Sequence, residues 1–456
     1  MDRLALTQLL AWKHHPYRKP LLLKGVRQVG KTWLLKTFGA THYENTAYFN
    51  FDEHSEYAEF FSRTKEVPRI LENLRLVSGQ KIAPEKTLIV FDEIQNAPAA
   101  INALKYFRET APEYHVACAG SLLGVTLARP ASFPVGQVDF LDVHPMTFTE
   151  FLLATGDENL VTAMKQVTEI EPLMEAFFNP LVEKLRLYFI TGGMPEAVLR
   201  WSQTHDLQEV ATVLRNLLNA YENDFLKHPK ISEVAKILLT WRSLPAQLAR
   251  ENKKFLYKLV KEGARAREYE DAVQWLINAG HVHKITRVTT PGLPLSAYED
   301  LGAFKLYASD IGILRELAQL PAAAFDGTAA LFSEFKGALA ENFVLTSLIA
   351  QTDLTPCYWS QLNPSYEVDF LLQRGADVIP LEVKAATNVR SPSLRKYKEL
   401  FGAQTRLRVR FSLENLRLDG DMLNIPLFMA DQADRLIGLA LEHLSGAPVK
   451  LANKRG

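Results

Sequence analysis

The chain has 456 residues, with 52 Lys and Arg balanced by 52 Asp and Glu, and two cysteines, Cys118 and Cys357. Such a length accommodates about three domains. Zero formal charge excludes a global pull toward nucleic acid or membrane, so any such binding needs a local patch, and two cysteines are too few for a disulfide framework or a zinc site.

The N-terminal stretch (Leu4, Leu6, Leu9, Leu10, Trp12) is amphipathic and lacks a signal peptide's apolar core. No apolar run reaches the roughly 18 residues of a membrane span. A cytoplasmic protein without a membrane partner is expected.

The first predicted strand, Leu21-Leu22-Leu23, runs into Lys24-Gly25-Val26-Arg27-Gln28-Val29-Gly30-Lys31-Thr32, a G-x-x-x-x-G-K-T string. Gly25 and Gly30 let the backbone curl so that successive N–H groups face one anion. Lys31 offers a charge to the β- and γ-phosphates, and the Thr32 hydroxyl can ligate Mg²⁺. A helix from about Lys31 aims its positive end at the same place. Strands are also predicted at Ala47–Asp52 and Leu88–Phe91, the latter ending in Asp92-Glu93. Asp92 is placed to hold Mg²⁺ through water and Glu93 to activate an attacking water. A further strand, His115–Ser121, ends in a small hydroxyl residue, and Ser121 is a γ-phosphate sensor or a simple cap. With a last strand at Val138–Val143, the alternation implies a parallel sheet flanked by helices. These residues together indicate ATP or GTP hydrolysis with Mg²⁺.

From about Thr147 to Phe225 the pattern is helical, interrupted at Gly192-Gly193-Met194-Pro195, and reads as a lid over a nucleotide site. Three helical stretches and two short strands, Val282–Val288 and Leu295–Tyr298, follow from Ser232 on, in the order of a winged helix. Residues 241–290 hold ten Lys or Arg against five Asp or Glu. Lys253, Lys254, Lys258, Lys261, Arg265 and Arg267 bunch before the third helix, as DNA or RNA contacts or as a solvated basic face.

The last region carries a helix with Glu334 and Glu341, then two antiparallel strands. The first bears Asp369, and the second bears Glu382 and Lys384, which point the same way. These carboxylates and the lysine can hold a second divalent metal for phosphodiester cleavage, or form a buried ion-pair cluster.

The strings Lys24–Thr32, Phe91-Asp92-Glu93-Ile94-Gln95, Gly120-Ser121, Phe133-Pro134-Val135-Gly136, Gly192–Pro195, Lys305-Leu306-Tyr307, Asp310-Ile311-Gly312, Glu341-Asn342, Val368-Asp369 and Glu382-Val383-Lys384 carry a resemblance that extends over nearly the whole chain. They resemble bacterial and archaeal AAA-type ATPases that carry a C-terminal domain of unknown function. The resemblance implies an α/β fold: a P-loop NTPase core at 1–146, a helical lid at 147–228 and a winged-helix-like domain at 229–330. A domain similar to PD-(D/E)xK nucleases would follow at 331–445, with a tail at 446–456. It implies ATP as the nucleotide, and it is compatible with a homo-oligomer. The family often has arginine where this chain has Gln137, and Arg129 is the candidate arginine finger in its place.

Overall fold

The computed structural model describes residues 3–121, 123–127, 136–226, 231–250, 253–325, 333–351, 356–361, 365–385 and 391–446. They form two compact units: residues 1–145 with 271–281, and residues 146–270 with 282–456. The helix Ala266–Asn278 contributes residues to both.

The first unit is built on β1 (Leu21–Lys24), β2 (Asn45–Asn50), β3 (Thr87–Asp92), β4 (His115–Ala119) and β5 (Asp139–Asp142). Every pairing among them is parallel, in the order β2-β3-β4-β1-β5. All residues of β3 and β4 are buried, which explains their unbroken apolar runs: a parallel strand covered on both faces has no polar side. The helix Lys31–His42 buries Leu34, Leu35 and Phe38, the i, i+1, i+4 face that packs on the sheet. Because β4 lies between β1 and β3, the loops leaving all three strands open side by side at one edge of the sheet. Such an edge is where ligands bind in open α/β sheets.

The second unit contains an eight-stranded mixed sheet. Its strands are β6 (Val282–Val288), β7 (Glu299–Ala308), β8 (Cys357–Gln361), β9 (Tyr366–Arg374), β10 (Asp377–Val383), β11 (Arg408–Ser412), β12 (Arg417–Asp419) and β13 (Met422–Pro426). Their order is β12-β13-β11-β10-β9-β8-β6-β7. The helical stretch is as expected: Phe148–Ala154, Glu158–Lys165, Glu175–Thr191, Pro195–Thr204 and Leu207–Phe225. Thr147 and Glu150 form a reciprocal capping box at its start. The first four of these helices share one hydrophobic core with the sheet, for example through the edge-on ring pairs Phe178–Phe428 and Tyr188–Phe343.

Two expectations need correction here. Leu295–Tyr298 is a 3₁₀ turn, and the partner of β6 is the longer Glu299–Ala308. The β6–β7 hairpin is also no free wing, because β6 pairs in parallel with β8 at Arg287–Tyr358 and Val288–Trp359. Strands from both sides of residue 330 therefore build one sheet. No helix among the described residues is long and apolar enough to cross a membrane.

Candidate functional site

Local backbone chemistry shapes the G-x-x-x-x-G-K-T loop. Gly25 has φ +141°, and a Cβ there would lie 2.2 Å from the Val143 carbonyl oxygen. Gly30, at φ +95°, is the left-handed residue from which the helix Lys31–His42 starts. The buried Arg3 guanidinium supports the loop, donating to Val29 O at 3.1 Å and to His144 O at 2.7 Å.

Lys31 is 7% exposed, and its ammonium donates to the carbonyls of Gly25 (2.7 Å) and Val26 (3.0 Å). Desolvation lowers its pKa to about 8, against the pull of Glu93 and Asp92 and with the push of Arg27. A bound polyphosphate would raise that value again, so binding above pH 8 takes up a proton. ATP affinity is therefore expected to be flat below about pH 8 and to fall up to about tenfold per pH unit above it. Calorimetry at pH 8.5 in two buffers of different ionisation enthalpy checks this, and binding without proton uptake would contradict it.

Asp92 ends β3 and is buried. Its Oδ2 accepts 2.7 Å hydrogen bonds from the Thr32 hydroxyl and the Tyr48 hydroxyl. Hydroxyl and carboxylate thus meet at one point, with lone pairs of the Thr32 oxygen left over. That donor set fits Mg²⁺, which Thr32 would ligate directly and Asp92 through water.

Glu93 adopts φ +49°, a sparsely populated conformation for a residue with a Cβ. Its Oε2 accepts from the Ser121 amide (3.2 Å), the Ser121 hydroxyl (3.0 Å) and the Gln95 side-chain amide. Ser121 therefore meets the expected water-activating carboxylate directly. Tyr48, Gln95 and Arg3 are partners that sequence reasoning missed. Gln95 stands two residues from Glu93, and Tyr48 lies in the strand paired with β3, opposite Val90. Arg129 and Phe133-Pro134-Val135 lie outside the described residues.

The second set of expected site residues gathers in the second unit, with ammonium groups among the carboxylates. Asp369 Oδ2 accepts from the Val383 amide at 2.8 Å. Lys384 reaches Glu382 Oε1 at 2.7 Å, as period-two spacing implies. Glu341 accepts from Lys253 through one oxygen and from the Tyr307 hydroxyl (3.1 Å) through the other. Lys305, wholly buried, pairs with Glu367. Burial, then Glu341 and Glu382, push the partly exposed Asp369 up to about 7 against Lys305 and Lys253. Burial alone would raise Glu341 too, but Lys253 and Lys305 hold it below the usual carboxylate range.

No group of three metal-ligating side chains is arranged to hold an ion among the described residues. In place of the expected second metal site stands an ion-pair network, in which lysines take one oxygen each of Glu341 and Glu382. The expected basic patch loses Lys253 to this network. Lys258, Lys261, Arg265 and Arg267 remain exposed, and Lys254 is partly covered. The Glu334 side chain lies outside the described residues.

The Gly192–Pro195 break is a buried junction within the second unit. The Gly193 amide donates to Asp310 Oδ2 at 2.6 Å, and the Ile313 amide donates to Oδ1 at 2.9 Å.

Residues 17–152 match the AAA domain family. With a parallel sheet, a G-x-x-x-x-G-K-T loop and an acidic strand end, this part of the chain has the features of an AAA-type P-loop domain. Residues 182–324 and 336–428 match two domains of unknown function, DUF8612 and DUF4143. No curated protein matches the chain.

Among solved structures, the chain is similar to a Walker-type ATPase of Pyrococcus abyssi, with 15% identity and a TM-score of 0.43 over 70% of this chain and 95% of that one. It is also similar to the ORC1 protein of Aeropyrum pernix solved with DNA, at 14% identity and a TM-score of 0.25, covering 70% and 93%. A third is the RuvB Holliday junction branch migration motor of Thermotoga maritima, at 13% identity and a TM-score of 0.28, covering 61% and 87%.

Proposed function

We propose that the chain is an ATP-driven switch or motor acting on nucleic acid. The observation that carries the ATPase part is the 2.7 Å contact between Thr32 and Asp92 beside a Glu93 already hydrogen-bonded by Ser121. Amides of the loop from Gly25 to Thr32 bind the phosphates, and Lys31 leaves the Gly25 and Val26 carbonyls to meet them. Mg²⁺, when bound, neutralises charge on the β- and γ-phosphates. Glu93 takes a proton from the attacking water, while Ser121 and Gln95 set its orientation. Nucleotide state then biases the second unit, which carries the nucleic-acid contacts.

Four exposed cations, Lys258, Lys261, Arg265 and Arg267, support the nucleic-acid part. If all four meet phosphates, replacing them together by Gln lowers the slope of log affinity against log salt by about 3 to 4. DNA- or RNA-stimulated ATP turnover in the parent should be lost in the same variant. Binding that ignores salt would instead favour a regulator with a protein partner. An ATP-gated nuclease takes second place, because Glu341 and Glu382 are already engaged by ammonium groups.

A further inference from the structure

The Asp92 carboxylate is pinned at three points: Oδ1 accepts from the Glu93 amide at 3.0 Å, and Oδ2 accepts from the Thr32 and Tyr48 hydroxyls at 2.7 Å each. Two of these donors belong to the nucleotide strings. Thr32 lies in the first turn of the helix Lys31–His42, and Glu93 follows β3 directly. Tyr48 comes from elsewhere. It sits in β2, the edge strand of the parallel sheet, opposite Val90.

Holding the buried end of β3 does not require this third donor. The Thr32 hydroxyl and the Glu93 amide already give each oxygen of Asp92 a partner. The Tyr48 ring is nevertheless fixed independently of its hydroxyl. The Lys36 ammonium, one turn beyond Thr32 on the same helix, lies 4.0 Å from the ring centroid. Strand and helix together therefore set where the phenol oxygen stands.

Donor and acceptor counting shows what that oxygen has left. A phenol has one proton and two lone pairs, and the Tyr48 proton goes to Asp92. Asn50, whose own side-chain oxygen is taken by the Asp52 amide at 2.9 Å, donates to the phenol oxygen. One lone pair remains. Mg²⁺ bound to phosphates keeps several of its waters, and their protons need acceptors. The Tyr48 oxygen shares Asp92 Oδ2 with the Thr32 hydroxyl, the expected direct ligand, so it stands one carboxylate oxygen away from that group.

We propose that Tyr48 is a positioning residue for the cation: its hydroxyl donates to Asp92 and accepts from a metal-bound water. Tyr48 and Asp92 then orient the hydration shell of an ion that Thr32 ligates. The inference rests on the ATPase reading and adds to it a residue outside both nucleotide strings. Tyr48 acts through the water and the carboxylate, without touching the nucleotide. Outer-shell partners of this kind orient the ligands of a metal and tune its affinity.

The test uses the full-length protein, a non-hydrolysable ATP analogue and Mn²⁺, whose binding is read by electron paramagnetic resonance. Tyr48→Phe keeps the ring and its contact with Lys36 and removes only the hydroxyl. Its analogue complex is expected to bind Mn²⁺ about 10–100-fold more weakly than that of the parent. Analogue affinity in EDTA should be unchanged. ATP turnover should recover at saturating Mg²⁺, with the half-saturating Mg²⁺ concentration raised by the same factor. In the parent made with ring-deuterated tyrosine, the Mn²⁺ spin echo should carry deuterium modulation. That arm stands even if the phenylalanine variant fails to fold.

Equal Mn²⁺ affinity in parent and Tyr48→Phe, or a parent complex without deuterium modulation, would overturn the role of Tyr48 and leave the ATPase reading intact. Loss of analogue binding in EDTA would make Tyr48 a support of the loop and overturn the proposal as well. A parent that binds no analogue, with or without Mn²⁺, would instead sink the ATPase reading and this inference with it.

Discussion

A chain carrying Glu93→Gln should bind ATP about as well as the parent and hydrolyse it roughly 10²–10⁴ times more slowly. Glutamine keeps the shape of the side chain and can still accept the hydrogen bonds that Ser121 donates to Glu93 Oε2 at 3.0 and 3.2 Å. Only the capacity to take a proton is removed. Binding should persist because the phosphate grip belongs to the loop from Gly25 to Thr32, on a different strand. Lys31→Ala is the contrasting variant, in which binding itself should be lost. Single-turnover hydrolysis with separately measured nucleotide affinity distinguishes the two. A Glu93→Gln protein with unchanged turnover would refute the assignment of the base. Ser121→Ala should turn over at a rate between those of Glu93→Gln and the parent, since it removes the hydroxyl that orients Glu93 and leaves the carboxylate in place.

The second large effect concerns stability, and it lies far from the nucleotide loop in sequence. Asp310→Ala should destabilise the second unit by about 2–5 kcal/mol, because the Gly193 and Ile313 amides lose a buried acceptor and the helix Ile311–Leu317 loses its cap. Asp310 is 2% exposed, and burial raises its pKa to about 6 despite those amide bonds. The folded-state value therefore exceeds the unfolded one of 3.8. The linked contribution is fully present below pH 3.8 and is lost as pH rises through 6. The stability gap between parent and variant should be wider at pH 4 than at pH 7. Denaturant unfolding at both values reads it, and a gap that is equal or reversed would show that the acid is not perturbed as described. A Cβ at Gly192 would lie 2.4 Å from Asp310 Oδ1, so Gly192→Ala should disturb the same junction.

The parts legible in the sequence are those whose determinants are local. A phosphate loop is eight consecutive residues after an apolar run, and its glycines, lysine and threonine are needed whatever surrounds them. Buried parallel strands announce themselves as apolar runs because both faces are covered. For that reason β1, β3 and β4 fall where periodicity places them. The pairing of Glu382 with Lys384 follows from the strand period alone.

Contacts across long sequence separations were not legible. Lys253 reads as one cation of a basic patch until Glu341, 88 residues later, is seen to hold it. The break at Gly192–Pro195 reads only as the end of one helix and the start of another until Asp310, 117 residues on, is seen to accept the Gly193 amide. The second strand of the hairpin was placed at Leu295–Tyr298 because a short alternating stretch looks the same in a turn and in a strand. Only pairing with β6 selects Glu299–Ala308.

By itself, the sequence determined that this chain has a triphosphate-binding loop, an acidic strand end behind it and a parallel sheet to carry both. Each follows from neighbouring residues and the geometry of one strand or helix. Tertiary structure alone decided which carboxylates are satisfied and by what. It gave Asp92 to Thr32 and Tyr48, Glu93 to Ser121 and Gln95, and Glu341 to Lys253 and Tyr307. Charge partners are chosen by distance in space and by the loss of water on burial, and neither is written in the spacing of residues along a chain.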